Sequence, residues 1–79
     1  MATRVKVKNA ESGSIVDMDV EPTNLIEEVI ESAASYWEKP PGAYVLRRGK
    51  SLLRGQQTIL ELGIIAGDVL ELIPDPEGG

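Results

Sequence analysis

Ile15-Val16-Asp17-Met18-Asp19-Val20, then Glu21-Pro22-Thr23-Asn24, then Leu25-Ile26-Glu27-Glu28-Val29-Ile30 contains the change of period that decides the fold. In the first six residues Val16, Met18 and Val20 alternate with Asp17 and Asp19, the two-residue repeat of a half-buried strand. Pro22 lacks an amide donor and holds φ near one value, so the strand stops before it. Beyond it, Ile26, Val29, Ile30, Ala33 and Trp37 recur in steps of three and four, which draws one apolar stripe along a helix. Asn24 with Glu27 three positions on predicts a capping box at the start of that helix. Glu27, Glu28 and Glu31 fall on its polar side, and the early acids suit the positive end of the helix dipole. Pro40-Pro41 ends it by Lys39 at the latest. Trp37, last in the stripe, is expected as a lid over the edge of the core.

Upstream, Arg4 to Lys8 reads R-V-K-V-K, with Val5 and Val7 on one face and cations on the other. That is a strand, and the turn-forming run Asn9 to Ser14, with Gly13 free to take positive φ, folds the next strand back against it. In such a hairpin Lys6 and Lys8 are expected to face Asp17 and Asp19. Downstream, Tyr44 to Arg47 predicts a third strand, Arg48-Gly49-Lys50 a turn and Ser51-Leu52-Leu53 a brief fourth strand. Thr58 with Glu61 repeats the capping-box spacing, so one helical turn is expected over residues 59–62, closed by Gly63. Ala66-Gly67-Asp68 is a turn before the last strand, Val69 to Ile73, with Leu70 and Leu72 on one face. The first and last strands, with all the rest between them, are placed to pair in parallel at the sheet centre. The expected fold is an α+β roll, a mixed five-stranded sheet with one helix packed across it.

Seventy-nine residues, 42% of them hydrophobic, suffice for one small core. No run of 18 apolar residues crosses a membrane, and the N-terminal residues lack the layout of a signal peptide, so a cytoplasmic location is expected. The chain has no Cys and no His, which excludes disulfides, thiolate or imidazole metal sites, thiol nucleophiles and His-based triads. Its carboxylates are dispersed along the chain, so neither a catalytic residue nor a metal site is expected. A net charge of −5 argues against nucleic acid and anionic membranes as partners and favours proteins with basic grooves.

Two units follow: a domain over residues 1–73 and an extended tail over residues 74–79, Pro74-Asp75-Pro76-Glu77-Gly78-Gly79. Both prolines favour extended geometry around them, so the tail is expected to reach on the order of 20 Å. It ends in two residues without side chains, a thin strip of backbone suited to a narrow cleft.

The order and spacing of Val20-Glu21-Pro22-Thr23, Pro40-Pro41, Gly49-Lys50-Ser51-Leu52, Thr58-Ile59, Leu62-Gly63-Ile64 and the terminal Gly-Gly resemble the ubiquitin-like β-grasp family over nearly the whole chain. The resemblance implies a protein modifier, not an enzyme. Gly78 and Gly79 would form the conjugation terminus, with the Gly79 carboxylate adenylated, passed as a thioester and joined to a target amine. It further implies a monomer whose partners are activating and conjugating enzymes, a deconjugating protease and target proteins. No cofactor is implied for this chain, ATP being used by the activating enzyme. Where the family places a basic residue before the glycines, this chain has Glu77, with Asp75 between the prolines; an activating enzyme must therefore be adapted to an acidic tail. Leu46 and Ile73 match strand positions of the family's apolar docking patch and are expected to point away from the helix, ringed by Arg47, Arg48 and Lys50. Lys8 and Lys50 match lysines used for chain linkage. Two other readings stay open: a sulfur carrier that uses the same tail as a thiocarboxylate, and a non-covalent binding module, either secretion-associated or part of a larger protein.

Overall fold

A computed structural model of the chain describes residues 2–77. Its strands are β1 (Thr3–Asn9), β2 (Ile15–Val20), β3 (Tyr44–Arg48), β4 (Ser51–Leu53) and β5 (Val69–Pro74), and one helix, α1 (Ile26–Tyr36), follows β2. They form a single sheet in the order β2-β1-β5-β3-β4. β1 and β5 pair in parallel at its centre, and every other neighbouring pair is antiparallel. Parallel strands need a long crossover, here everything from β2 to β4. The α+β roll expected from the periodicities is the fold observed.

The core lies between the sheet and α1. Val5 and Val7 of β1, Leu46 of β3, Leu70 and Leu72 of β5, and Ile26 and Ala33 of α1 are all fully buried. Ile59 is 1% exposed and closes the end of the core. Val16, Met18, Trp37, Tyr44 and Leu62 pack around it, half-buried. Trp37 sits there as the lid its stripe position implied, with its ring edge-to-face against Tyr36 at 5.3 Å.

In the first hairpin Lys6 faces Asp17 as expected, but Asp19 faces Arg4 and not Lys8. Arg4 lies opposite Asp19, Lys6 opposite Asp17, and Lys8 opposite Ile15. Arg4 Nε donates to Asp19 Oδ1 at 2.9 Å and Lys6 Nζ to Asp17 Oδ1 at 3.0 Å, while Lys8 faces no aspartate. The cause is the turn: Asn9 N–H donates to the Ser14 carbonyl, and Asn9 Oδ1 accepts the Glu11 N–H. These bonds close the loop around Asn9 and set the pairing behind it. The Arg4 guanidinium, through its hydrogen bond and its charge, holds the Asp19 carboxyl below its ordinary pKa.

At the start of α1 the capping acid is Glu28 rather than Glu27. Leu25 N–H and Asn24 Nδ2 both donate to Glu28 Oε1, at 2.8 and 3.2 Å. Leu25 has no side-chain acceptor, so only half of a capping box forms. Other free amides of the first turn are satisfied from outside: Ile26 N–H donates to the Gln57 carbonyl and Glu27 N–H to the Gly55 carbonyl. The bonds to Glu28 stabilise its charged form and lower its pKa from the ordinary 4.5, the Leu25 amide contributing most. A lowered folded-state pKa contributes stability that is present above 4.5 and is lost as pH falls through the folded value. Glu28→Gln is therefore expected to flatten the fall of Tm below pH 4.5, read by circular dichroism melts. An acid limb as steep as that of the unsubstituted chain would rule out this role for Glu28.

The helix ends in a Schellman pattern. Lys39 N–H donates to the Ala34 carbonyl at 2.8 Å and Glu38 N–H to the Ser35 carbonyl at 3.1 Å. This places Glu38 at φ 58°, a left-handed conformation that strains residues with a Cβ. Glu38→Gly is expected to raise stability by about 0.5–1 kcal/mol, on the order of 3–6 °C in Tm. A lower Tm would refute it. Pro41–Ala43 then form a short 3₁₀ turn into β3, which the proline pair alone did not indicate. The Thr58–Glu61 box is complete, Thr58 N–H donating to Glu61 Oε1 and Glu61 N–H to Thr58 Oγ1. It closes a turn rather than a helix.

Candidate functional site

The two faces of the sheet differ sharply. On the side away from α1, the pairing register sets Ile15, Lys8, Glu71, Arg47 and Leu52 in one row across all five strands. Glu71 stands between the buried Leu70 and Leu72, and Arg47 beside the buried Leu46, so strand alternation turns both outward. Arg47 Nε and Nη2 both donate to Glu71 Oε1, at 3.0 and 2.6 Å. Ile73, half-buried, is paired with Val45 in the next row.

Leu46 was expected on this outer face and is not there. It is fully buried, opposite Leu72 and Leu53, and Arg47 takes the outward position. Val45 and Leu46 are both apolar and both buried, so the alternation that would have set their register is absent, and a slip of one residue exchanges the faces. Arg48 is a second correction. It shares the parity of Leu46, and its guanidinium donates to the Leu62 carbonyl at 2.8 Å and lies 3.7 Å from Asp68. It ties β3 to the loop before β5 instead of ringing Ile73. Of the expected docking residues, only Ile73 and Arg47 come together on the outer face, and its middle is an ion pair.

Lys50 is exposed in the β3–β4 turn. The turn holds two residues, Gly49 and Lys50, and only Gly49 has positive φ, at 61°. That is the type II′ pattern, which calls for glycine first. Lys8 is half-buried within the row. Among the described residues neither lysine takes part in an ion pair.

The tail departs from the expected free arm. Pro74 belongs to β5, opposite Tyr44, and Asp75 N–H extends the ladder by donating to the Ala43 carbonyl at 2.8 Å. The chain then turns: Glu77 N–H donates to Asp75 Oδ1 at 2.9 Å. Arg54 holds both acids, with Nη2 3.5 Å from Asp75 Oδ1 and Nη1 3.2 Å from Glu77 Oε1. β5 thus includes Pro74, and Asp75 and Glu77 are held against Arg54 of the body. Gly78 and Gly79, the expected conjugation terminus, lie outside the described residues. One arginine beside Gly55 carries no local signal, and its partners are more than twenty positions away in the chain.

Among the described residues no group of carboxylates could hold a metal ion, and no helix is long and apolar enough to cross a membrane. A groove of about 340 Å³ opens beside Arg54, lined by Glu27, Ile30 and Glu31 of α1, Pro41, Gly42, Tyr44 and Val45, and Asp75.

No protein-family model and no curated protein sequence matches the chain. Solved structures do. Ubiquitin from Caldiarchaeum subterraneum is 25% identical, with a TM-score of 0.86 and 100% of both chains covered. A de novo protein designed on ubiquitin is 27% identical, with a TM-score of 0.84, over 95% of this chain and 90% of that one. With one helix laid across a five-stranded mixed sheet in the order β2-β1-β5-β3-β4, the chain has the ubiquitin-like β-grasp fold.

Proposed function

We propose that the chain is a protein modifier conjugated through Gly79. The carrying observation is its likeness to an archaeal ubiquitin over the full length of both chains, which supports reading Gly78-Gly79 as an acyl terminus. In that chemistry the Gly79 carboxylate displaces pyrophosphate from ATP on an activating enzyme. A cysteine thiolate then displaces AMP to form a thioester, and a target amine displaces the thiol. This chain supplies the acyl group and a docking surface, and its lack of cysteine leaves no internal thiol to intercept the thioester. Asp75 and Glu77 call for an activating enzyme with cations in its tail groove. A groove built to meet a basic tail would leave them unpaired, a penalty of several kcal/mol.

The test is addition of the tagged chain and ATP to an extract of its source cells. Tagged species of higher mass that survive reduction are expected, with a Gly-Gly remnant on target lysines by peptide mass spectrometry after digestion with a glutamate-specific protease, which cuts behind Glu77. Their absence with ATP present would refute the proposal. A second reading, a non-covalent binding module, draws support from Pro74–Glu77 lying on the body instead of standing free. It is favoured if partners are captured equally well by a chain lacking the glycines.

A further inference from the structure

We propose that Arg54 is a latch that keeps the acidic tail on the body, so that a partner taking the tail in extended form must replace it with cations of its own. This rests on reading residues 74–79 as a segment that partners take up.

The mount for Arg54 is stiff on both sides. Leu53 before it is in β4, paired with Leu46. Gly55 and Gln57 after it give their carbonyls to the first amides of α1. The guanidinium has two prongs toward the tail, one near Asp75 and one on Glu77. Asp75 is the inner partner, its side chain 11% exposed, and its Oδ1 also accepts the Glu77 N–H. One carboxylate oxygen thus bends the tail and engages the latch together. Pro76 between the two acids narrows the shapes the bend can take.

The latch is weak enough to open. Glu77 is 76% exposed and Arg54 37%, and pairs in water contribute little and are screened by salt. Glu27 and Glu31 line the same groove as Arg54 and take part in none of the ion pairs among the described residues, so a released Arg54 has carboxylates beside it. The closed state is accordingly a bias in a two-state equilibrium, one that a partner's arginine or lysine can overcome through better affinity for the open tail.

The bond after Glu77 reports on the latch directly. A glutamate-specific endoprotease needs the Glu77 carboxylate for its own pocket and the backbone leading to it extended, whereas the closed latch pairs that carboxylate with Arg54 and bends residues 75–77. Release of Gly78-Gly79 is followed by mass spectrometry, against a free peptide of residues 73–79 as internal standard. Relative to that standard, Arg54→Ala is expected to release the dipeptide about threefold to tenfold faster than the unsubstituted chain. Arg54→Lys should fall between them. At 1 M salt the unsubstituted chain should approach the Arg54→Ala rate. If Arg54→Ala does not fold, Asp75→Asn, which removes the inner charge at constant shape, should give the same acceleration. Equal rates for variants and parent overturn the latch. So does parallel acceleration at Glu21 and Glu27, which would make Arg54 a residue that holds the domain together. The assay contains no conjugation enzyme, so it is decided independently of the extract experiment.

Discussion

Leu46→Ala is expected to destabilise the domain by about 3 kcal/mol, on the order of 12–24 °C in Tm, while Arg47→Ala beside it costs about 1 kcal/mol or less. Leu46 is fully buried, with Leu72 opposite on one side and Leu53 on the other. Truncating it removes most of a fully buried side chain and leaves a cavity bounded by strands fixed in their ladder, which limits how far the site can collapse. Arg47 loses an ion pair whose side chains are 40% and 27% exposed, in the range where water competes for both groups. The ordering of the two is what tests the register. Were Leu46 on the outer face, its truncation would change stability by about 0.5 kcal/mol at most, and Arg47 would be the costly residue. A domain this small has about 5 kcal/mol or somewhat more in total, so Leu46→Ala should also shift its urea midpoint by more than a third. Thermal melts of the two variants side by side settle the matter.

The register at Leu46 also shows where reading the chain by period reaches its limit. β1, β2 and α1 are legible because each carries its own repeat: Val5 and Val7 against Arg4, Lys6 and Lys8; Val16, Met18 and Val20 against aspartates; Ile26, Val29, Ile30 and Ala33 at helical spacing. The turns are legible where glycine is required, as at Gly49 with φ 61°. Val45-Leu46 carries no repeat, so its inner and outer residues could be exchanged without any local conflict. The capping acid moved from Glu27 to Glu28 for a related reason. Glu27 and Glu28 are adjacent, so the spacing fixes the capping acid only to within one residue, and the choice is made by the 55–57 loop, whose carbonyls take the Ile26 and Glu27 amides. The tail is the largest departure. Pro74 and Pro76 do favour extension, but Arg54 is brought to Asp75 and Glu77 by the position of β4 beside β3, a long-range consequence of topology that no window of sequence contains.

Deleting Gly78 and Gly79 is expected to abolish covalent transfer, by at least about a thousandfold, and to leave Tm within about 1 °C of the full chain. The first half follows from geometry. Acyl transfer needs the carbonyl carbon within reach of its attacker, and a displacement of 1 Å in an active site can cost about a hundredfold. Two residues span up to about 7 Å of extended chain, so the shortened terminus stops well short of the reacting groups. It would also present Glu77, with a charged side chain and Pro76 before it, to a cleft shaped for bare backbone. The second half follows from where the fold ends. β5 stops at Pro74, the core residues lie between Val5 and Leu72, and the latch from Arg54 uses Asp75 and Glu77, both of which the deletion keeps. Terminal residues rarely contribute to stability unless they are tied down. Two measurements on one variant therefore separate the roles: a melt, and an ATP-dependent conjugation assay in source-cell extract. Conjugates that persist undiminished would show that the acyl end lies elsewhere. A Tm lowered by several degrees would show that the glycines belong to the folded body, and the latch would then have to be reconsidered as part of the domain's own closure.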